Sequence, residues 1–345
     1  MNRLFPTTLR AASAALRFGL LAVLLGGGAV HAQTKEGTTL TGFLMIEPSA
    51  RFAAMGNAGT TAAEGAMAAY YNPGALGHLP QSSAQFTHSP WFADILYNHA
   101  AVVVRLGPNA LLLSLTSLDS GDMDVRTVDQ PQGTGEQFSV RDLAIGLGYG
   151  RRITDRFSAG IQVKYVQETI WHSSLSAVGL DVGVLYELPF RATLGASISN
   201  FGTRGSFDGR DLRVRFDQDP DAFGDNSNLP AALETEEFAL PIFFRVGLGY
   251  PVQLSAESQL TIVADAYQPN DDANSVSFGA EWSYADLLFL RGGYQDLFME
   301  DSVVGLTLGG GLQYRLSGFD LGFDYAWADY GLLGSTQRFT LSFGF

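Results

Sequence analysis

From residue 82 to the end, the chain alternates. Phe339, Leu341, Phe343 and Phe345 stand at every second position, separated by Thr340, Ser342 and Gly344. Phe319, Leu321, Phe323, Tyr325 and Trp327 alternate with Asp320, Gly322, Asp324 and Ala326. Leu180, Val182, Val184 and Tyr186 alternate with Asp181, Gly183 and Leu185, and Phe157 to Tyr165 repeats the pattern. A period of two belongs to the β-strand, whose successive side chains point to opposite faces. The pattern predicts strands at 82–89, 98–106, 110–118, 138–151, 156–171, 174–188, 191–202, 238–251, 258–268, 273–283, 286–296, 302–315, 318–329 and 335–345.

A soluble sandwich would alternate in the same way, with its apolar face inward. Three features predict the opposite arrangement, apolar face outward to lipid. Many strands run to roughly 10–15 residues, longer than the usual ~5–6 and suited to a tilted membrane crossing. Aromatic residues gather near strand ends (Tyr149, Tyr165, Trp171, Tyr186, Tyr250, Trp282, Tyr314, Trp327), where interfacial girdles form. The last residues, Phe343 and Phe345, are aromatic, as expected of a barrel-sorting terminus. The predicted fold is all-β: a 14-stranded antiparallel transmembrane β-barrel, an even count. With the N-terminus placed on the periplasmic side, the long connections at 90–97, 119–137 and 203–237 all fall at the outer end. Backbone polar groups cannot be left unpaired in hydrocarbon, so such a sheet must close. The inner face carries glycines, among them Gly148, Gly160, Gly183, Gly195, Gly247, Gly305, Gly309 and Gly322, and the acids Asp181, Asp320 and Asp324. The glycines leave room for contents; the acids predict a hydrogen-bonded polar lumen.

Composition removes other classes. The net charge is −14, with charged residues at 16%. That balance argues against nucleic acid as a partner, because phosphate contacts need clustered Lys and Arg. Cysteine is absent, which excludes disulfides, thiol catalysis and cysteine-ligated metal. No cofactor and no metal site is predicted. Arg3, Arg10 and Arg17 precede an apolar run, Phe18 to Val30, and Val30-His31-Ala32 offers a cleavage site. Residues 1–32 therefore read as a secretory signal peptide. Beyond it, no apolar run is long enough for a helical span.

Residues 33–81 form a separate segment, and from 37 onward they do not alternate. They are rich in Ala, Gly and Met, and small residues allow close backbone packing. Such a segment, with few charges, is expected to tuck into the barrel as a hatch or plug, leaving 82–345 as the barrel. Catalytic chemistry finds little support. His172 stands beside Ser173 and Ser174 without a triad spacing. His88 and His99 lie on neighbouring strands and could face each other. Asp217, Asp219 and Asp221 are spaced like calcium ligands, but Pro220 and the missing terminal Glu break that pattern. The same loop carries Phe216, Phe223 and Leu229, which makes it a candidate protein-docking loop. The chain is not expected to be an enzyme.

The order of several blocks resembles the PorV/PorQ family. Ala50-Arg51-Phe52-Ala53-Ala54-Met55-Gly56-Asn57-Ala58 is similar to its N-terminal block, and Asn72-Pro73-Gly74-Ala75-Leu76 to its "NPAGL" block with Gly and Ala exchanged. Further matches are Asp122 to Thr127, Arg152 to Gly160 with Lys164-Tyr165, Ser199 to Gly202 and Leu290 to Tyr294. The family's paired acids are replaced here by Glu64-Gly65. The resemblance implies a FadL-like outer-membrane barrel whose hatch motif is Arg51, Met55, Gly56, Asn57, Ala58, Asn72, Pro73 and Gly74. It also implies a part in type IX protein secretion or surface attachment, with a translocon and secreted cargo domains as partners beside the outer-membrane lipid. The alternative is a FadL-like transporter of hydrophobic small molecules, the ligand leaving by hatch movement near Asn72-Pro73.

Overall fold

The computed structural model describes residues 39–62, 65–219, 221, 228–299 and 302–345. The expected signal peptide at 1–32, Glu64 and Phe223 lie outside the described residues. Fourteen long strands follow: β1 (Ser83–Pro90), β2 (Leu96–Leu106), β3 (Asn109–Asp119), β4 (Val140–Thr154), β5 (Phe157–Ile170), β6 (Ser173–Glu187), β7 (Thr193–Gly202), β8 (Phe243–Gln253), β9 (Ser258–Pro269), β10 (Ser275–Tyr284), β11 (Leu288–Leu297), β12 (Leu306–Leu316), β13 (Phe319–Asp329) and β14 (Ser335–Gly344). Each pairs antiparallel with its neighbours in sequence, and β1 pairs with β14 from Ser83↔Gly344 to His88↔Phe339, which closes the cylinder. The alternation then has one meaning. Leu113, Leu147 and Leu341 are 53%, 65% and 57% exposed on the outside, while Thr87, Arg338 and Thr340 are buried inside. No described helix is long and apolar enough to cross a membrane.

The connections sort by length. Short turns stand at one end, at 107–108, 155–156, 188–192, 254–257, 285–287 and 317–318, and the long loops at the other. Two long loops contain small ribbons, Met123–Asp124 with Gln137–Phe138 and Arg213–Phe216 with Leu229–Ala232. Two predicted strand starts are corrected. Residues 238–242 are not barrel strand: Pro241 has no N–H for a ladder, and the segment dips inward, burying Leu240. Residues 302–305 stay outside β12 because Val304 packs beneath Tyr330 instead. The β6–β7 ladder breaks at Asp181, where Leu180 faces Phe201 but Val182 faces Ile198. The extra residue on β7 forms a bulge, with Asn200 in the left-handed region at φ 61°.

The interior is filled by residues 39–82. Thr39, the first described residue, lies at the long-loop end, where it bridges to Ala239 and bonds Asp271. The segment descends through short helices, Gly42–Met45, Ala50–Ala53, Ala68–Tyr71 and Pro73–His78, and reaches the short-turn end before β1. The inward glycines mark its track. Gly160 faces the Pro73 carbonyl, Gly183 faces Asn72, Gly195 and Gly247 face Thr60, Gly279 faces Met55, and Gly309 faces Ala54. A side chain at any of these would occupy the place of the hatch. Gly305 and Gly322 differ, lying against the Tyr294 ring and the Ser342 side chain.

Candidate functional site

The lumen holds the hatch most firmly between Asn72 and Leu79. Asn72 is fully buried. Its amide donates to the carbonyls of Thr60 and Val184, both at 2.9 Å, and its Oδ1 accepts from the Gly74 amide at 2.9 Å, capping the short helix that Pro73 begins. Ser158 donates to the Gly74 carbonyl at 2.6 Å. A Cβ at Gly74 would lie 2.7 Å from Val184 Cα, so hatch and wall are in backbone contact here. Gly56 makes a second close approach: its φ is 66°, and a Cβ would lie 2.7 Å from the Phe278 carbonyl oxygen. Met55 and Ala58 are buried beside it, against Phe52 and Tyr71. Asn57 follows in the left-handed region.

Charged side chains tie the hatch to the wall. Arg51 reaches Glu281 at 2.6 Å, Arg291 joins Glu281 and Asp324, each at 2.5 Å, and Arg338 holds Glu47 at 2.5 Å. Thr60 bonds Asp265 through its amide at 2.9 Å and its hydroxyl at 2.7 Å. Arg245 lies among four rings, 4.4 Å from the Phe243 centroid and 5.1 Å from that of Tyr70, and donates to the Tyr70 carbonyl at 3.3 Å. At the β7 bulge, Asp181 accepts from the Asn200 amide at 2.7 Å and pairs with Lys164 at 2.8 Å, while Lys164 also bonds Asn200 Oδ1. The bulge is thereby sealed from inside. Asn200 also donates to the Pro241 carbonyl at 2.9 Å and so fixes the inward-dipping loop.

Two polar cavities flank the hatch. A vestibule of about 370 Å³ opens at the short-turn end along β11–β14 and β1, lined by Arg51, Gln85, Arg291, Gln313, Asp320 and Asp324 among others. A smaller one of about 100 Å³ lies under the long-loop mouth beside Arg245, Asp265 and Asp296. The hatch separates them.

The predicted lumen acids therefore have distinct places. Asp181 staples the bulge, Asp324 joins the hatch lattice, and Asp320 lines the vestibule, bonded to Gln81 at 2.8 Å and Arg315 at 3.1 Å. The basic partners Lys164, Arg245, Arg291 and Arg338 were missed. Their signal was available: each stands at an inward position of an alternating strand. His88 and His99 do not meet. They fall on opposite faces, His88 outward on Asn98 and His99 inward on Thr116, both at 2.8 Å. His172 engages Asp211 and Arg210 rather than Ser173 or Ser174. Phe216 and Leu229 form the end pair of the loop ribbon, and Phe216 is exposed. Phe343 and Phe345 stack on the outer wall.

The His172–Asp211 contact latches the longest loop to the β5–β6 turn. Slight desolvation pushes the Asp211 carboxyl up. Hydrogen bonds from the His172 amide and ring, with the nearby charges of His172 and Arg210, outweigh this and hold it below its ordinary value. A depressed carboxylate contributes stability that is present at neutral pH and lost as pH falls through the folded-state value. Acidification should therefore free the loop and change the emission of Trp171, whose ring lies 4.7 Å from that of His172. The Asp211→Asn variant should show no such transition; an identical one would remove the latch from the account.

No protein-family model matches the chain, and no curated protein does. Solved structures do. The Pseudomonas putida toluene transporter TodX aligns over 86% of this chain and 97% of its own, at 13% identity and a TM-score of 0.55. A FadL homologue from Pseudomonas aeruginosa covers the same shares at 12% identity and 0.53. The Ralstonia pickettii toluene transporter TbuX gives 13% and 0.52, again over 86% and 97%. The chain thus has the FadL-like barrel fold.

Proposed function

We propose that this chain is an outer-membrane channel for hydrophobic small molecules, exported by its leader and embedded by its apolar outer wall. The observation that supports this best is the lumen: a closed cylinder occupied by a hatch, with a vestibule on the short-turn side. A hatch blocks free diffusion of solutes while leaving a path that opens by rearrangement. The likeness to two toluene transporters points to the same ligand class. The long loops then face outward and the short turns face the periplasm.

A second reading is the docking role implied by the PorV/PorQ resemblance, in type IX secretion. The residues carrying that resemblance, Ala50 to Leu76, line up with the hatch, and Phe216 stands exposed on a projecting ribbon. The solved structures favour the channel.

The two separate in one experiment. Expression in a bacterial outer membrane should speed the entry of phenylnaphthylamine, an uncharged probe that fluoresces on reaching phospholipid. Entry no faster than in cells lacking the protein overturns the channel. Recovery of a translocon or tailed cargo with the purified protein would then support docking.

A further inference from the structure

The hatch is anchored unevenly. Asn72 to Leu79 lies in backbone contact with β4–β7, whereas in Glu47 to Met55 the close backbone approach to the wall comes at the last residue, where Met55 meets Gly279 and Gly293. Ala50, Ala53 and Ala54 rest on Ala326 of β13, a smooth contact of small residues. Hydroxyls hold the backbone: the Ala50 amide donates to Thr340 at 3.0 Å, and Thr307 donates to the Ala54 carbonyl at 3.1 Å. The strong ties are two ion pairs, Glu47 with Arg338 at its start and Arg51 with Glu281 at its middle. Ser49, Arg51 and Phe52 form the ceiling of the 370 Å³ vestibule. On the other side, Arg338 stacks under Trp91 at 5.1 Å and reaches the Tyr330 hydroxyl at 3.4 Å. Trp91, Phe92 and Tyr330 meet edge to face at 5.1–5.4 Å. Leu332 and Leu333, next to Tyr330, are exposed, as are Phe298 and Val303 on the adjoining loop.

We infer that the segment Glu47–Met55 is the gate of the lumen, and that the Trp91–Phe92–Tyr330 lip above it receives an uncharged hydrophobic molecule. This deepens the channel reading and rests on it. Arg338 touches lip and hatch at once, so a ligand that shifts Trp91 loosens the grip on Glu47. Buried ion pairs fix position more than they add net stability, because desolvation offsets much of their attraction. They suit a pin that must release. Among the lumen cations, Arg51, Lys164, Arg291, Arg315 and Arg338 each already face a carboxylate within 3.1 Å, and Arg245 is held among four rings. The exit lies along β11–β14, not at the locked Asn72-Pro73.

The chain has no cysteine, so pairs can be introduced cleanly. The full-length protein carrying Glu47→Gln, Arg51→Met and Arg338→Met, checked for barrel folding by its heat-modifiable migration, is placed in planar bilayers. Its ion conductance should rise by about tenfold or more, as expected when a minor open state is released. A disulfide between A50C and T340C should return it to the wild-type level, and reduction should restore it. A T60C–D265C disulfide should leave it raised. Conductance that stays at the wild-type level, or closes equally with either disulfide, overturns the gate. In the otherwise wild-type chain, the A50C–T340C disulfide alone should abolish phenylnaphthylamine entry reversibly; unchanged entry also overturns the gate. Trp91→Ala with Phe92→Ala should slow that entry without altering the conductance of the unpinned chain, and unchanged entry overturns the lip. If conductance is gated as described while even the wild type admits no probe, the channel reading fails and the gate stands.

Discussion

Asn72→Leu should free the floor of the hatch while leaving the barrel closed. Leucine has the same branched skeleton of side-chain heavy atoms, so the site stays filled. What goes is the set of three hydrogen bonds to the Thr60 carbonyl, the Val184 carbonyl and the Gly74 amide, all at 2.9 Å. Each buried group left unpaired costs about 1–3 kcal/mol. No water can replace the lost partners at a residue with no exposed surface. The barrel ladders do not use these bonds, so the loss is local. Amide exchange between Gly74 and Leu79 should accelerate by about a hundredfold or more. Exchange in β4–β6 should remain slow. Asn72→Asp should accelerate exchange at least as much, because it sets a buried charge against the Thr60 and Val184 carbonyls. Unchanged exchange in Asn72→Leu would mean that wall packing alone holds the hatch.

The second large effect is expected at the β7 bulge. Asp181→Ala strips Lys164 of its carboxylate and leaves the Asn200 amide without an acceptor. Breaking a buried pair from one side typically costs about 3–5 kcal/mol. The urea midpoint of the vesicle-embedded barrel should drop accordingly. The informative variant is the double one. Lys164→Met with Asp181→Leu removes both charges, and it should recover much of the loss, since only the neutral Asn200 amide and its Oδ1 then lose partners. If the double variant is as unstable as the single one, the cost lies in the bulge geometry and not in the stranded ammonium.

The cylinder was legible in the sequence because lipid outside and a crowded interior impose opposite demands on alternate residues. Phe339, Leu341 and Phe343 could only face outward together, and Thr340 with Ser342 inward. The bulge was not legible. It depends on Asp181 meeting the Asn200 amide across the ladder, and the period of two continues smoothly through β6. Gly160 and Gly183 were readable as spaces, but not as seats for Pro73 and Asn72, since neither spacing nor composition says which backbone fills a gap. The direction of the hatch was not legible for a related reason. Nothing in the run of small residues from Ala50 to Ala69 indicates which end of a tube it enters. In the lattice of Arg51, Glu281, Arg291 and Asp324, Glu281 and Arg291 face each other across one hairpin, but Arg51 and Asp324 join from elements far along the chain, beyond the reach of any local motif. The parity of Arg291 and Arg338 did hold that information, and attention to acids alone passed over it.

The seam between β1 and β14 is the shortest ladder in the cylinder, six residue pairs from Ser83 to His88. It also joins the strand that follows the hatch directly to the last strand of the chain. With its strap running from mouth to floor, this protein resembles a garment sewn around a mandrel. A closed hoop admits no strap sideways, so a strap already in place when the final stitch is drawn is the simplest order of assembly. The short fastening is where a heated molecule is expected to come undone first.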